Sequence, residues 1–358
     1  MRDLLQATIA IVIVCGLLFV AAGQMQSKGS TGSKDTLTVF NWGEFIDTDL
    51  IKKFEQETGI NVIYETFDSN EAMLTKVQQG GSAYDIAVPS EYTVESMRED
   101  NLLIPLDHTL IPNLKNINDD FLNLPFDPNN EFSIPYFWGT VGIVYNPNLI
   151  EDHLTFETWD DLWDESLKRK VFLVDGSREV IGMGLNTIGE SLNVKDDKVL
   201  RQATDKLMTL SPNVKAIIGD EITPLMINNE AAVALTWAGQ AADMMAENEE
   251  LNYAVPEEGS NLWFDNMVIP KTSKNVEGAH KFINFMLDQE NAAQNADYVG
   301  YSTPNEAAWD IMDPEVIADQ RFYPSNELRE KLEVYENLGL TWLGKYNEYF
   351  LEFKMSLN

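Results

Sequence analysis

Three short apolar runs separated by two amphipathic stretches restrict this chain more than any other feature. Residues 37–40 form a strand pattern. Asp47 can cap a helix in which Leu50, Ile51 and Phe54 fall at helical spacing, and Gly59 stops it. Residues 60–66 alternate as a strand, 70–79 read as a helix ended by Gly80-Gly81, 84–88 as a strand and 91–99 as a helix. A β-α-β-α-β order needs crossover connections, so it predicts a parallel sheet with helices on both faces.

A second unit of the same kind follows Pro135. Strands are expected at 141–145, 170–174 and 231–236, and helices at 159–168, 178–192 and 198–210. Residues 268–270 lead into a helix at 276–287, and the tail, 326–354, reads as helical. Two α/β units in 358 residues suit the usual size of domains. If the chain crosses between them more than once, a cleft forms over hinge strands, for which 139–145 and 264–269 are the candidates. The expected division is 36–138 with 265–320 as one lobe, and 139–264 with 321–358 as the other.

Residues 1–23 are an export signal or membrane anchor, apolar from Leu4 to Gly23 save for Gln6 and Thr8, and 24–35 read as a flexible linker. Lipidation at Cys15, cleavage near 21–23 and retention as an anchor are all open. Each places the folded part outside the cytoplasm, and tethering to the outer face of the membrane is expected. Cys15 is the single cysteine, so the folded part has no disulfide, thiolate metal site or cysteine nucleophile.

Acidic residues number 58 against 25 basic ones, a net charge of −33. That sign excludes a nucleic-acid partner, whose phosphates need Lys and Arg. It attracts cations, although by itself general solubility is the simpler use of such a charge. His108, His153 and His280 lie far apart, without carboxylates at metal-ligand spacing, and are expected at the surface. Gly182-Met183-Gly184 is half of a dinucleotide fingerprint, with Thr187 where the third glycine belongs, so helix packing is the expected use of those glycines. No motif supports an enzyme, and no cofactor is expected.

Ligands of open α/β sheets bind outside the carboxyl ends of the strands. Here those ends carry Asn41-Trp42-Gly43-Glu44-Phe45, Pro89-Ser90-Glu91-Tyr92, Asp175-Gly176-Ser177-Arg178-Glu179 and Trp237, while Trp263-Phe264-Asp265 precedes the second hinge candidate. Indole faces attract cations, each by about 0.5–2 kcal/mol. Carboxylates take ammonium groups in charge-assisted hydrogen bonds. Rings along the methylenes with acids at the ends suit an elongated aliphatic polycation. Core packing is the competing use of any single Trp, and Trp138, Trp159 and Trp163 are assigned to the core or the domain interface.

The segments FNWGEFID (40–47), YETFDSNEAM (64–73), YDIAVPSEY (84–92), SIPYFWGT (133–140), DGSREV (175–180), NLWFDNMVIP (261–270) and YVGYSTPN (298–305) are collinear with those of the polyamine-binding proteins of bacterial ABC importers. The chain after the linker resembles that family throughout. The resemblance implies a two-lobe type II periplasmic binding protein fold, each lobe a mostly parallel sheet flanked by helices, with the ligand cleft between lobes. It implies capture of spermidine or putrescine by a monomer and delivery to the permease subunits of the importer. Its aromatic box falls on Trp42, Tyr92, Trp237, Trp263 and Tyr301. Its acids fall on Glu44, Glu179 and Asp265, with Asp265 expected to hold a primary ammonium. Ser90 matches a hydroxyl contact, and Phe45 replaces a tyrosine. Asp175 is a further acid, although relatives can carry it one position later, where this chain has Gly176. Glu336 falls near a position that holds glutamine in a relative. A thiamine, iron or sugar ligand on the same fold is the alternative.

Overall fold

The structure, a computed structural model, describes residues 35–219 and 221–357. The expected leader, and the linker apart from Asp35, lie outside the described residues. The strands are β1 (Thr36–Trp42), β2 (Asn61–Phe67), β3 (Ile86–Ala87), β4 (Ser133–Tyr145), β5 (Val171–Val174), β6 (Val214–Ile218), β7 (Val233–Trp237), β8 (Asn252–Ala254) and β9 (Leu262–Val268). They follow the order β2-β1-β3-β9-β4-β7-β5-β6, with β8 also on β4.

β4 organises the molecule. Its residues 133–140 pair antiparallel with β9, and 141–145 pair antiparallel with β7 and β8. One 13-residue strand therefore belongs to two sheets. β1, β2 and β3 are parallel on one side, and β5, β6 and β7 are parallel on the other. β9 runs antiparallel to β3 and β4 between them. Each sheet is thus parallel in its outer strands and antiparallel toward the shared strand.

The helices close as their sequences require. α1 (Thr48–Thr58) starts where the Asp47 carboxylate accepts the Asp49 N–H, and ends at Gly59, whose φ of 71° is left-handed. α2 (Asn70–Gln79) is capped by Ser69 and ended by Gly80. Next come α3 (Glu91–Glu99), α4 (Ser177–Asn186), α5 (Asp197–Met208), α6 (Ile222–Ile227), α7 (Ala238–Glu247), α8 (Val276–Met286) and α9 (Gln289–Val299). The last long helix, α10 (Gly339–Met355), packs on α4 and α5. Leu50, Phe54, Phe40 and Phe264 are fully buried in one continuous core. Each such side chain contributes about 1.5–3 kcal/mol by leaving water. The Gly182-Met183-Gly184 stretch serves packing, since a Cβ on Gly184 would meet Leu207 Cδ1 at 2.9 Å.

Several expectations need correction. Residues 159–168 form two short 3-10 turns, because Asp164 is extended and turns its carboxylate onto the Ser166 N–H. The helix expected to 192 stops at Asn186, and left-handed Gly189 follows. The tail is helical only in a single turn at Asn326–Arg329 and in α10. His280 is buried: its Nε2 accepts the Asp107 N–H and its Nδ1 donates to the Val276 carbonyl.

Candidate functional site

The site is built outward from Asp265, in the middle of β9 and only 7% exposed. Ser90 and Asp265 form an isolated antiparallel bridge, and Ser90 Oγ donates to Asp265 Oδ1 at 2.8 Å. Asn70, at the start of α2, fixes the neighbourhood. Its Oδ1 accepts the Ser90 N–H at 3.0 Å, and its Nδ2 donates to Ser90 Oγ at 3.0 Å and to the Tyr92 hydroxyl at 2.8 Å. Burial raises Asp265 to about 7, against the lowering pull of the Ser90 and Trp42 side chains. The indole N–H of Trp42 is buried without a completed hydrogen bond, yet close enough to act on that carboxyl. Asp265 is thus a carboxyl held in place by neutral donors and lacking a counter-ion among the described residues.

Aromatic rings gather on the neighbouring elements. The Tyr301 ring meets Phe45 edge-on at 5.2 Å and Trp263 at 5.7 Å. Trp263 anchors its indole N–H on the Thr140 carbonyl at 3.3 Å. It lies flush on β4 because residue 139 is glycine: a Cβ there would stand 2.5 Å from Trp263 Cζ2. Trp42 packs on Phe67 at the end of β1. Gly239, at the start of α7, is covered by the Tyr301 ring, and a Cβ on it would overlap that ring.

Glu179, in the first turn of α4, forms the opposite acid. Burial raises its pKa; its own backbone N–H and Arg178 lower it, Glu71 raises it, and the Trp237 side chain lowers it. Trp237 ends β7, so it and Glu179 stand at neighbouring strand ends of the second sheet. Tyr92 links the two acids. Its hydroxyl is tied to Asn70, and burial, with the Glu71 and Glu179 charges adding, pushes the phenol up. A Cβ on Gly176 would overlap Glu179 Oε2, so this placement of Glu179 leaves no room for an acid at 176.

Three candidate acids stand apart. Glu44 is exposed, with a left-handed φ of 53°. It faces Asp243 of α7, whose carboxyl rises to about 6 through burial and then through the Glu44 charge. Asp175 is half-exposed and spends both oxygens on Lys354 Nζ, at 2.8 and 2.7 Å. Glu336 is exposed. Its neighbour Tyr335 is buried instead, 6.5 Å from Tyr92 and within the field of Glu179.

Sequence reasoning missed Asn70, Glu91 and Tyr335. Asn70 and Glu91 stood inside the quoted segments, but only tertiary contact reveals their roles. Among the described residues, no group of three His, Asp or Glu is placed to hold a metal, and no helix is long and apolar enough to cross a membrane.

Two sheets joined through the shared strand β4, with acids and rings gathered at their strand ends, define a solute-binding protein. The model of the bacterial extracellular solute-binding protein family matches residues 49–323, and the chain belongs to that family. It is 37% identical over 339 residues to the spermidine/putrescine-binding periplasmic protein of Salmonella typhimurium, covering 94% of this chain and 97% of that one. It is 32% identical to the putrescine-binding periplasmic protein of Escherichia coli, covering 90% of each. Among solved structures, a spermidine/putrescine ABC transporter protein of Listeria monocytogenes matches with 58% identity and a TM-score of 0.84, over 90% of this chain and 99% of that one. The substrate-binding protein of the spermidine/putrescine transporter of Streptococcus pneumoniae matches with 53% identity and a TM-score of 0.85, over 90% and 100%. The two solved structures support the two-lobe fold, and the relatives' periplasmic names with the extracellular family description support an extracytoplasmic location.

Proposed function

We propose that this chain captures spermidine or putrescine outside the cytoplasm and delivers it to the permease of an ABC importer, without catalysing a reaction. The observation that carries the reading is Asp265, a buried carboxyl that lacks a cationic partner among the described residues, beside Trp42 and with Glu179 at the far end of the aromatic wall. In this reading Asp265 takes one ammonium and Glu179 the other. Trp42, Tyr92, Trp237, Trp263, Tyr301 and Phe45 flank the methylenes, and Ser90 orients Asp265. Glu44 contributes at the rim. Asp175 and Glu336 are left out of the ligand set. Residues 36–138 with 265–320 move as one lobe, and 139–264 with 321–358 as the other.

Removing an ammonium from water costs several kcal/mol, about the scale of one good ion pair, so each end of the ligand needs an acid. Isothermal calorimetry tests this. Spermidine or putrescine is expected to bind with micromolar or tighter affinity, about −8 kcal/mol or better. Butylamine, thiamine, maltose and ferric iron are expected to bind far more weakly. Butylamine binding as tightly as putrescine would rule out the two-ended site.

A further inference from the structure

Glu91 is absent from the ligand set, yet it is the most deeply buried acid beside it. It opens α3, is 0% exposed, and accepts the Phe264 N–H on Oε2 at 2.9 Å. Phe264 immediately precedes Asp265, so Glu91 holds the backbone next to that on which Asp265 stands. Its other oxygen, Oε1, is buried and has no hydrogen-bond partner. An ionised carboxylate with one oxygen unpartnered in the interior is costly, whereas a neutral carboxylic acid in the same place still accepts from Phe264.

Among the described residues facing Glu91 one is a cation, Arg178, whose charge favours the ionised acid but is outweighed by burial, and none of its hydrogen bonds goes to Glu91. Asp265 approaches from β9 and disfavours its charge. Arg178 approaches from α4, but it stacks 4.1 Å over Tyr335 and donates to Asn193 Oδ1 at 2.8 Å and to the Leu192 and Glu336 carbonyls. Tyr335, from the segment before α10, and Tyr92, on the same helix, are phenols whose pKa values burial pushes up.

We propose that Glu91 is a positioning residue for Asp265, and that the two carboxyls together hold protons which the arriving ammonium of a polyamine expels to solvent. This rests on the polyamine reading. Without ligand, burial first, and the Asp265 charge in addition, raise Glu91 to about 8, while Asp265 stands at about 7. An alkyl ammonium titrates at about 10 and arrives charged. Its field favours the ionised carboxyls, so their pKa values fall in the complex. The bound state then holds fewer protons than the free state, and affinity rises with pH until the free carboxyls have themselves ionised, near pH 8.

The test is spermidine calorimetry on the full chain in buffers of different ionisation enthalpy, which counts protons released on binding. Wild type is expected to release protons at pH 7.5 and to bind roughly tenfold or more tightly at pH 8 than at pH 6. Glu91→Gln keeps an acceptor for Phe264 but has no proton to lose. It should release fewer protons at pH 7.5, and its affinity should level off near pH 7. Glu91→Leu, which loses the acceptor, should bind more weakly at every pH. Equal proton release and matching pH profiles in wild type and Glu91→Gln would overturn the proposal while leaving polyamine binding intact. Absence of spermidine binding by wild type at any pH would instead remove the polyamine reading, and this proposal with it.

Discussion

Gly239 lies bare beneath the ring of Tyr301, with no space between them for a Cβ. Gly239 begins the helix that follows β7 of the second sheet. Tyr301 adjoins Ser302, which bridges Trp138 where β4 still belongs to the first. The contact therefore joins the two sides of the cleft.

Gly239→Ala is accordingly expected to hinder closure. Solution scattering with saturating spermidine should retain the larger radius of the open form, and spermidine affinity should fall. Gly81→Ala is the control, because a Cβ there meets nothing within 4 Å. A Gly239→Ala protein that closes like wild type would show that the Tyr301 ring can move aside without cost.

Asp265→Asn keeps the side-chain shape and removes the charge. Breaking one side of a buried charge pair costs about 2–5 kcal/mol, so spermidine affinity should drop roughly 30- to 4000-fold. The melting temperature without ligand should hold or rise, since a lone buried carboxylate is unfavourable. Ser90→Ala should cost less, because it removes one neutral donor. Calorimetry paired with thermal melts checks both, and near-wild-type affinity in Asp265→Asn would remove Asp265 from the site.

The unliganded protein should lose stability as pH rises from about 5 to 8. Glu91 and Asp265, raised to about 8 and about 7, stay protonated in the fold at pH values where the unfolded chain has already released those protons. The unfolded state then binds fewer protons, so stability falls with pH across that window. Glu91→Gln and Asp265→Asn should each flatten the slope. Melting curves at pH 5, 6, 7 and 8 measure it, and a wild-type slope unchanged in both variants would refute the linkage.

The net charge of −33 should speed capture of a cation and be screened by salt. In stopped flow, the association rate of spermidine should fall between low and physiological ionic strength while dissociation changes little. A salt-independent rate would assign the surface charge to solubility alone.

The sequence displayed what depends on local pattern. Asp47, Gly59 and Gly80 bound α1 and α2 in the structure through a capping bond and left-handed backbone that neighbours dictate. The rings and acids at the ends of β1 and β7 were visible because strand ends can be read from apolar runs. β4 before residue 139 was not, since Pro135 interrupts the pattern and the strand bulges between Pro135 and Phe137. β6 and β8 are short, and half-buried in part, so they lack a continuous apolar signature. The pairing of Asp175 was hidden for a different reason. Its partner Lys354 is 179 residues away, and no local rule anticipates that ion pair.

The passage of β4 through both sheets bears on how the molecule comes apart. Thr140 pairs with Leu262 in one sheet, while Val141, the next residue, pairs with Trp237 in the other. Neither sheet has a complete inner edge without the strand they share. Melting one should therefore strip hydrogen-bond partners from its neighbour, and heat should unfold the protein in a single cooperative transition.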